Sequence, residues 1–209
     1  MNVKKIVAAL LAVVLLIGIG VGGTLAWLSA TSGTVTNTFT VGDVNIELKE
    51  HDLKGDGNLD TNTEVTEENT YKILPGTSQP KDPFVRVKAN SEDSWIFVQV
   101  KEVNNTTGTG LKYVEWAIDN SIWTHLSTNG DIHTYVLTTS YTTKTADETY
   151  DVLLGDTVTY NRGLTKTMLN AVTDATKPQL IFKAFAVQAE AASNSADAWA
   201  LIDASLKLS

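Results

Sequence analysis

A chain of 209 residues with no cysteine excludes thiol catalysis and Cys-ligated zinc. Its 16 basic against 24 acidic side chains give a formal net charge of −8, and no basic stripe offsets it. Such a surface repels phosphate backbones and anionic headgroups, so nucleic acid is not expected as a partner.

The chain opens with Lys4 and Lys5, runs without a polar side chain from Ile6 to Gly23, and reaches small residues at Thr24 and Ala26. This is the order of a secretory signal peptide, residues 1–26, with peptidase pockets taking Thr24 and Ala26 and the cut falling before Trp27. The alternative is an uncleaved N-terminal anchor, the one route by which this chain would meet a membrane, because 18 apolar residues sit at the lower edge of what spans a bilayer. Gly18, Gly20, Gly22 and Gly23 favour cleavage by loosening the helix where extended chain is needed. Cleavage leaves 183 residues and takes the net charge from −8 to −10. That length supports one domain burying roughly 70% of its unfolded surface without cross-links.

Residues 27–43 read as an N-terminal strand segment, with Val35, Phe39 and Val41 on one parity; Val44, Ile46 and Leu48 take the other, requiring a bulge or bend at Gly42-Asp43. Residues 44–209 then form the domain proper. His51 to Asn69, polar and without period, is expected to be a long surface loop. Ile73-Leu74-Pro75-Gly76 marks a turn. Pro83–Ala89 and Trp95–Lys101 alternate and predict a hairpin joined by Asn90–Ser94.

Further strands are expected at Lys112–Ile118, Ile122–Leu126, Ile132–Leu137, Thr149–Leu153 and Thr157–Tyr160. Leu164–Val172 suits one short helix. Gln179–Glu190 returns to strand, with Leu180, Phe182, Ala184, Ala186 and Gln188 on one side, and Asn194 caps a C-terminal helix in which Trp199, Ile202 and Leu206 recur at helical spacing. Short strands with close turn signals predict an all-β antiparallel sandwich carrying one or two short helices.

Three blocks resemble the TasA/camelysin group of Gram-positive surface and biofilm-matrix proteins. They are Gly22–Leu28 with Asn37–Ile46; Pro75-Gly76 with Lys81–Val87 and Asn90–Val98; and Ala184–Ala189 with Asp197-Ala198-Trp199. Residues 103–178 match only in strand pattern. The resemblance implies a jelly-roll fold, export through a SipW-type signal peptidase, a cell-surface or matrix location and, for TasA-like members, self-assembly into fibres by donation of the mature N-terminal strand to a neighbour. Residues 27–41, with Val35, Phe39 and Val41 as the apolar side chains, suit that donor role, since an extended segment can complete another sheet's edge; pairing within its own domain is the alternative.

Camelysin-like members carry a metalloprotease label, yet His-Glu-x-x-His is absent and the histidines are His51, His125 and His133. If Thr128-Asn129-Gly130 forms a three-residue loop, His125 and His133 face each other across a hairpin and can hold a transition metal; a two-residue Asn129-Gly130 loop shifts the register and removes the site. Asp52, Asp56 and Asp60, with Gly57 between them, resemble a Ca²⁺ loop, although Lys54 occupies a ligand position and no Glu falls at the twelfth. No cofactor is otherwise implied, no catalytic residue is assigned, and neither a nucleophile elbow nor a phosphate-binding glycine loop is present.

The sequence therefore predicts an exported structural protein, a subunit of surface or matrix fibres. The alternatives are a camelysin-like secreted metal-dependent protease and a monomeric surface adhesin or binding module.

Overall fold

The computed structural model describes residues 43–54, 57–65, 69 and 71–209. The expected signal peptide and donor segment, with Thr24, Ala26, Trp27, Val35, Phe39 and Val41, lie outside these residues, as does Asp56.

The described chain is an all-β sandwich. One sheet is ordered β2 (Leu59–Val65), β1 (Ile46–Leu53), β4 (Phe84–Val87), β9 (Glu148–Asp151). The opposing sheet is ordered β11 (Gln179–Gln188), β5 (Ser94–Val103), β8 (Ile132–Leu137), β7 (Trp123–Asn129). A small third sheet holds β3 (Ser78–Pro80), β10 (Thr157–Tyr160) and β6 (Val114–Glu115), and all recorded strand pairs are antiparallel.

Alternation along the strands builds the core. Val85 and Val87 of β4 and Ile96, Val98 and Val100 of β5 are fully buried in one cluster, with Trp123 and Tyr160 as its largest fully buried side chains. The other face of β5 is buried too, as suits a strand with a near-continuous apolar run, because the C-terminal helix covers it. Phe97, Val136 and Phe185 on that face pack under α2 (Ser195–Leu201). Asn194 caps α2 by accepting from the Asp197 N–H at 2.9 Å, and Trp199 lies 5.2 Å from Phe97 and 5.4 Å from Phe185 between ring centroids. Leu206 departs from the expected helical stripe: the helix stops at Leu201, and Leu206 sits in a following turn, exposed. α1 (Lys166–Asn170) begins at Thr165, whose hydroxyl accepts from the Met168 N–H at 3.3 Å.

Three further sequence expectations are corrected. Pro83–Ala89 and Trp95–Lys101 do not form a hairpin: β4 pairs with β1 and β9, whereas β5 pairs with β11 and β8. The connection is an arch across the core, with Asn90 at φ 62 and the Asn90 N–H bonded to Lys144 O at 2.7 Å rather than to a partner strand. Alternation is identical for a hairpin and an arch, because both need one buried face per strand.

The segment His51 to Asn69 is not a long loop. β1 continues to Leu53 and pairs with β2, with a register shift between His51 and Asp52. Its outer face is a polar ladder: Arg86 donates to Glu64 at 2.8 and 2.5 Å and Lys49 donates to Glu64 at 3.3 Å. Such cross-strand charge pairs stabilise a ribbon without leaving a hydrophobic period. The expected strand at Lys112–Ile118 shrinks to Val114–Glu115, since the flanking backbone is used in single bridges from Lys112 to Thr106 and from Ile118 to Leu153.

Candidate functional site

β11 lies at the edge of its sheet, and among the described residues the Ile46–Lys49 half of β1 is paired only with β4. Between β1 and β11 a groove of about 830 Å³ opens, lined by Leu48, Ile73, Leu169, Val172, Leu180 and Phe182. These side chains pack on the core while remaining only partly buried. They come from β1, the stretch before β3, α1 and its exit, and β11, so no local sequence signal groups them.

One end of the groove is polar. Glu50 and Lys81 form an ion pair whose side chains are 9% and 11% exposed, and Asn69 Nδ2 donates to the same carboxylate at 2.8 Å. Tyr71 lines this end; burial, then the charges of Glu50 and Asp82, raise its phenol well above the usual range. Tyr160, pushed up to about 12 by burial, closes the floor.

The expected histidine pair is arranged differently from its sequence reading. Asn129 pairs with Ile132, so the turn is Gly130-Asp131, and His133 lies opposite Thr128 while His125 lies opposite Tyr135. Direct facing of His125 and His133 is thereby corrected. A bulge between His125 and Ser127 places two residues of β7 against one of β8 and returns Thr128 to the face that His125 uses. Both imidazoles consequently meet one hydroxyl: His125 Nε2 is 2.8 Å and His133 Nδ1 3.2 Å from Thr128 Oγ1. Trp116 packs edge-on to His133 at 5.5 Å.

Behind His133 lies Glu102, a buried carboxylate that periodicity did not single out. It accepts from Lys112 at 2.6 Å, Asn105 at 2.7 Å and Trp116 Nε1 at 3.1 Å, with His133 Nε2 at 3.6 Å. Burial pushes its carboxyl up, but the bonds from Lys112 and Asn105 outweigh it and the net shift is downward.

Asp52 and Asp60 sit opposite each other in the β1–β2 register. Asp52 accepts from the Leu53 N–H at 2.8 Å, and Asp60 from Asn62 and Thr63 of its own strand at 3.2 Å. Among the described residues no group of three or more His, Cys, Asp or Glu side chains is arranged to hold a metal ion. His51 instead bonds the buried Asp82, Nδ1 to Oδ2, at 2.6 Å.

Comparison with protein-family models, curated proteins and solved structures finds no match to this chain.

Proposed function

We propose that this protein is an exported structural subunit of cell-surface or matrix fibres, in which residues 27–41 of one copy add as a strand to the sandwich of the next. The observation that carries this reading is the groove between β1 and β11, flanked by an edge strand and by a half-strand with a single described partner, and floored by apolar side chains. An added strand gains main-chain hydrogen bonds from such an edge and side-chain pockets from the floor. Val35, Phe39 and Val41 share one parity and would enter as alternate side chains. The jelly-roll arrangement and the TasA/camelysin resemblance belong to the same proposal.

A net charge of −10 after cleavage opposes close packing of subunits, so salt or divalent ions are expected to promote assembly by screening. Electron microscopy of the protein starting at Trp27, beside a form starting at Val44, tests the reading. Fibres from the longer form alone support it; equal fibres from both forms overturn it.

A further inference from the structure

The groove's polar end holds a lysine, an asparagine and a carboxylate in an order that chemistry can use. Lys81 Nζ contacts Glu50 Oε2, and Asn69 Nδ2 donates to the other oxygen, Glu50 Oε1, at 2.8 Å. One carboxylate thus bridges an amine and the nitrogen of a side-chain amide. The amide is fixed from its remaining sides: Leu53 N–H donates to Asn69 Oδ1 at 3.1 Å, and Asn69 Nδ2 also donates to His51 O at 2.9 Å. Water is largely excluded, since Lys81 and Glu50 are 11% and 9% exposed and Lys81 Nζ lies 5.1 Å from the Tyr71 ring centroid and 5.3 Å from that of Phe182.

We infer that Lys81 and Asn69 join in an intramolecular amide cross-link, formed by the folded chain itself with Glu50 as the proton carrier. Glu50 Oε2, in direct contact with the Lys81 ammonium, takes a proton from it. The freed amine pair attacks Cγ of Asn69, and the charge developing on Oδ1 is met by the Leu53 N–H already bonded to it. The tetrahedral centre then expels the amide nitrogen, which collects its protons from the amine and from Glu50 through Oε1. A C–N bond forms at Lys81 and a C–N bond breaks at Asn69; the expelled nitrogen, having gained two protons, leaves as ammonium and carries off the charge of the Lys81 ammonium, nothing is oxidised or reduced, and Glu50 returns to its carboxylate. Holding amine and amide on one carboxylate supplies the high effective concentration that this otherwise slow exchange needs.

The same fold contains its own comparison. Lys112 and Asn105 also share a buried carboxylate, Glu102, at 2.6 and 2.7 Å. There, however, the lysine side chain is 48% exposed, so water solvates the amine and competes with the amide for it. Cross-linking is expected at Lys81 and not at Lys112. This inference stands apart from fibre assembly, since it concerns one copy alone.

Intact mass and tryptic mapping of the purified full chain, denatured before digestion, test it. The expected result is a loss of one ammonia, about 17 Da, from the sequence mass, with a peptide pair joined through Lys81 and Asn69 and no cleavage after Lys81. Lys81→Arg and Glu50→Gln should each restore the full mass. A wild-type chain of full mass that trypsin cuts after Lys81 overturns the inference. So does an equal loss mapped elsewhere, whether to Lys112 and Asn105 or to ring closure at Asn129-Gly130. The wild-type map decides even if a variant fails to fold.

Discussion

Trp123 donates its indole N–H to the main-chain carbonyl of Asp151 at 2.8 Å, and so fastens the edge strand of one sheet to the edge strand of the other. Trp123 is 1% exposed and among the largest side chains of the main core. The bond spans the side of the sandwich formed by β7 and β9, the side remote from the groove.

Replacing Trp123 by Phe keeps most of the apolar contact but leaves the Asp151 carbonyl without this donor. Urea unfolding of Trp123→Phe is expected to show a loss of about 1–3 kcal/mol, the cost of an unmet buried acceptor. Trp123→Ala should lose about 3–5 kcal/mol because a cavity is added. A Phe variant as stable as the parent would show that the bond contributes nothing.

Glu102 gathers Lys112, Asn105 and Trp116 on a buried carboxylate. Glu102→Ala should destabilise the fold by about 3–5 kcal/mol, since it strands the partners of a buried charge. Lys112→Met should cost less, because Asn105 and Trp116 still satisfy the carboxylate and the lysine is half in water already. Equal losses from the two variants in thermal unfolding would contradict this ordering.

Glu64 gives the clearest pH dependence. The bond from Arg86 holds its carboxyl down at about 2, opposed by slight desolvation and assisted by Lys49. The folded value lies below the unfolded one, so the stabilisation is complete above the ordinary carboxylate range and is lost as pH falls from about 4.5 towards 2. Glu64→Gln should flatten the stability curve over that window and leave its slope near neutrality unchanged. Stability profiles of equal slope in parent and variant below pH 4.5 would remove Glu64 from the acid response.

Val172 stands at the groove, partly exposed. Val172→Lys should leave the circular dichroism spectrum intact while reducing fibre yield by electron microscopy, because a charge in the groove must be desolvated when a strand covers it. Undiminished fibres from a folded variant would place strand addition elsewhere.

Alternation in β5, β8, β10 and β11, and the Asn194 cap before Trp199, are local properties, and each was legible because it depends on which face of an element is buried. The arch between β4 and β5 was not, since strands in one sheet and strands in opposite sheets obey the same alternation. The β1–β2 ribbon was hidden for the opposite reason: its Glu64–Arg86 and Glu64–Lys49 pairs stabilise it without apolar side chains. His125 and His133 were recognisable as a pair, but a single bulge, which no residue type announces, set their meeting point at Thr128.

By itself the sequence determined an all-β chain with an excess of acidic side chains and a capped C-terminal helix, because composition and period act over a few residues. Tertiary structure alone decided which strands share a sheet, that Leu48, Leu169 and Phe182 form one groove, and that Asn69 and Lys81 converge on the single carboxylate of Glu50. Those outcomes depend on contacts between segments far apart in the chain, whose partners are chosen by packing of the whole domain.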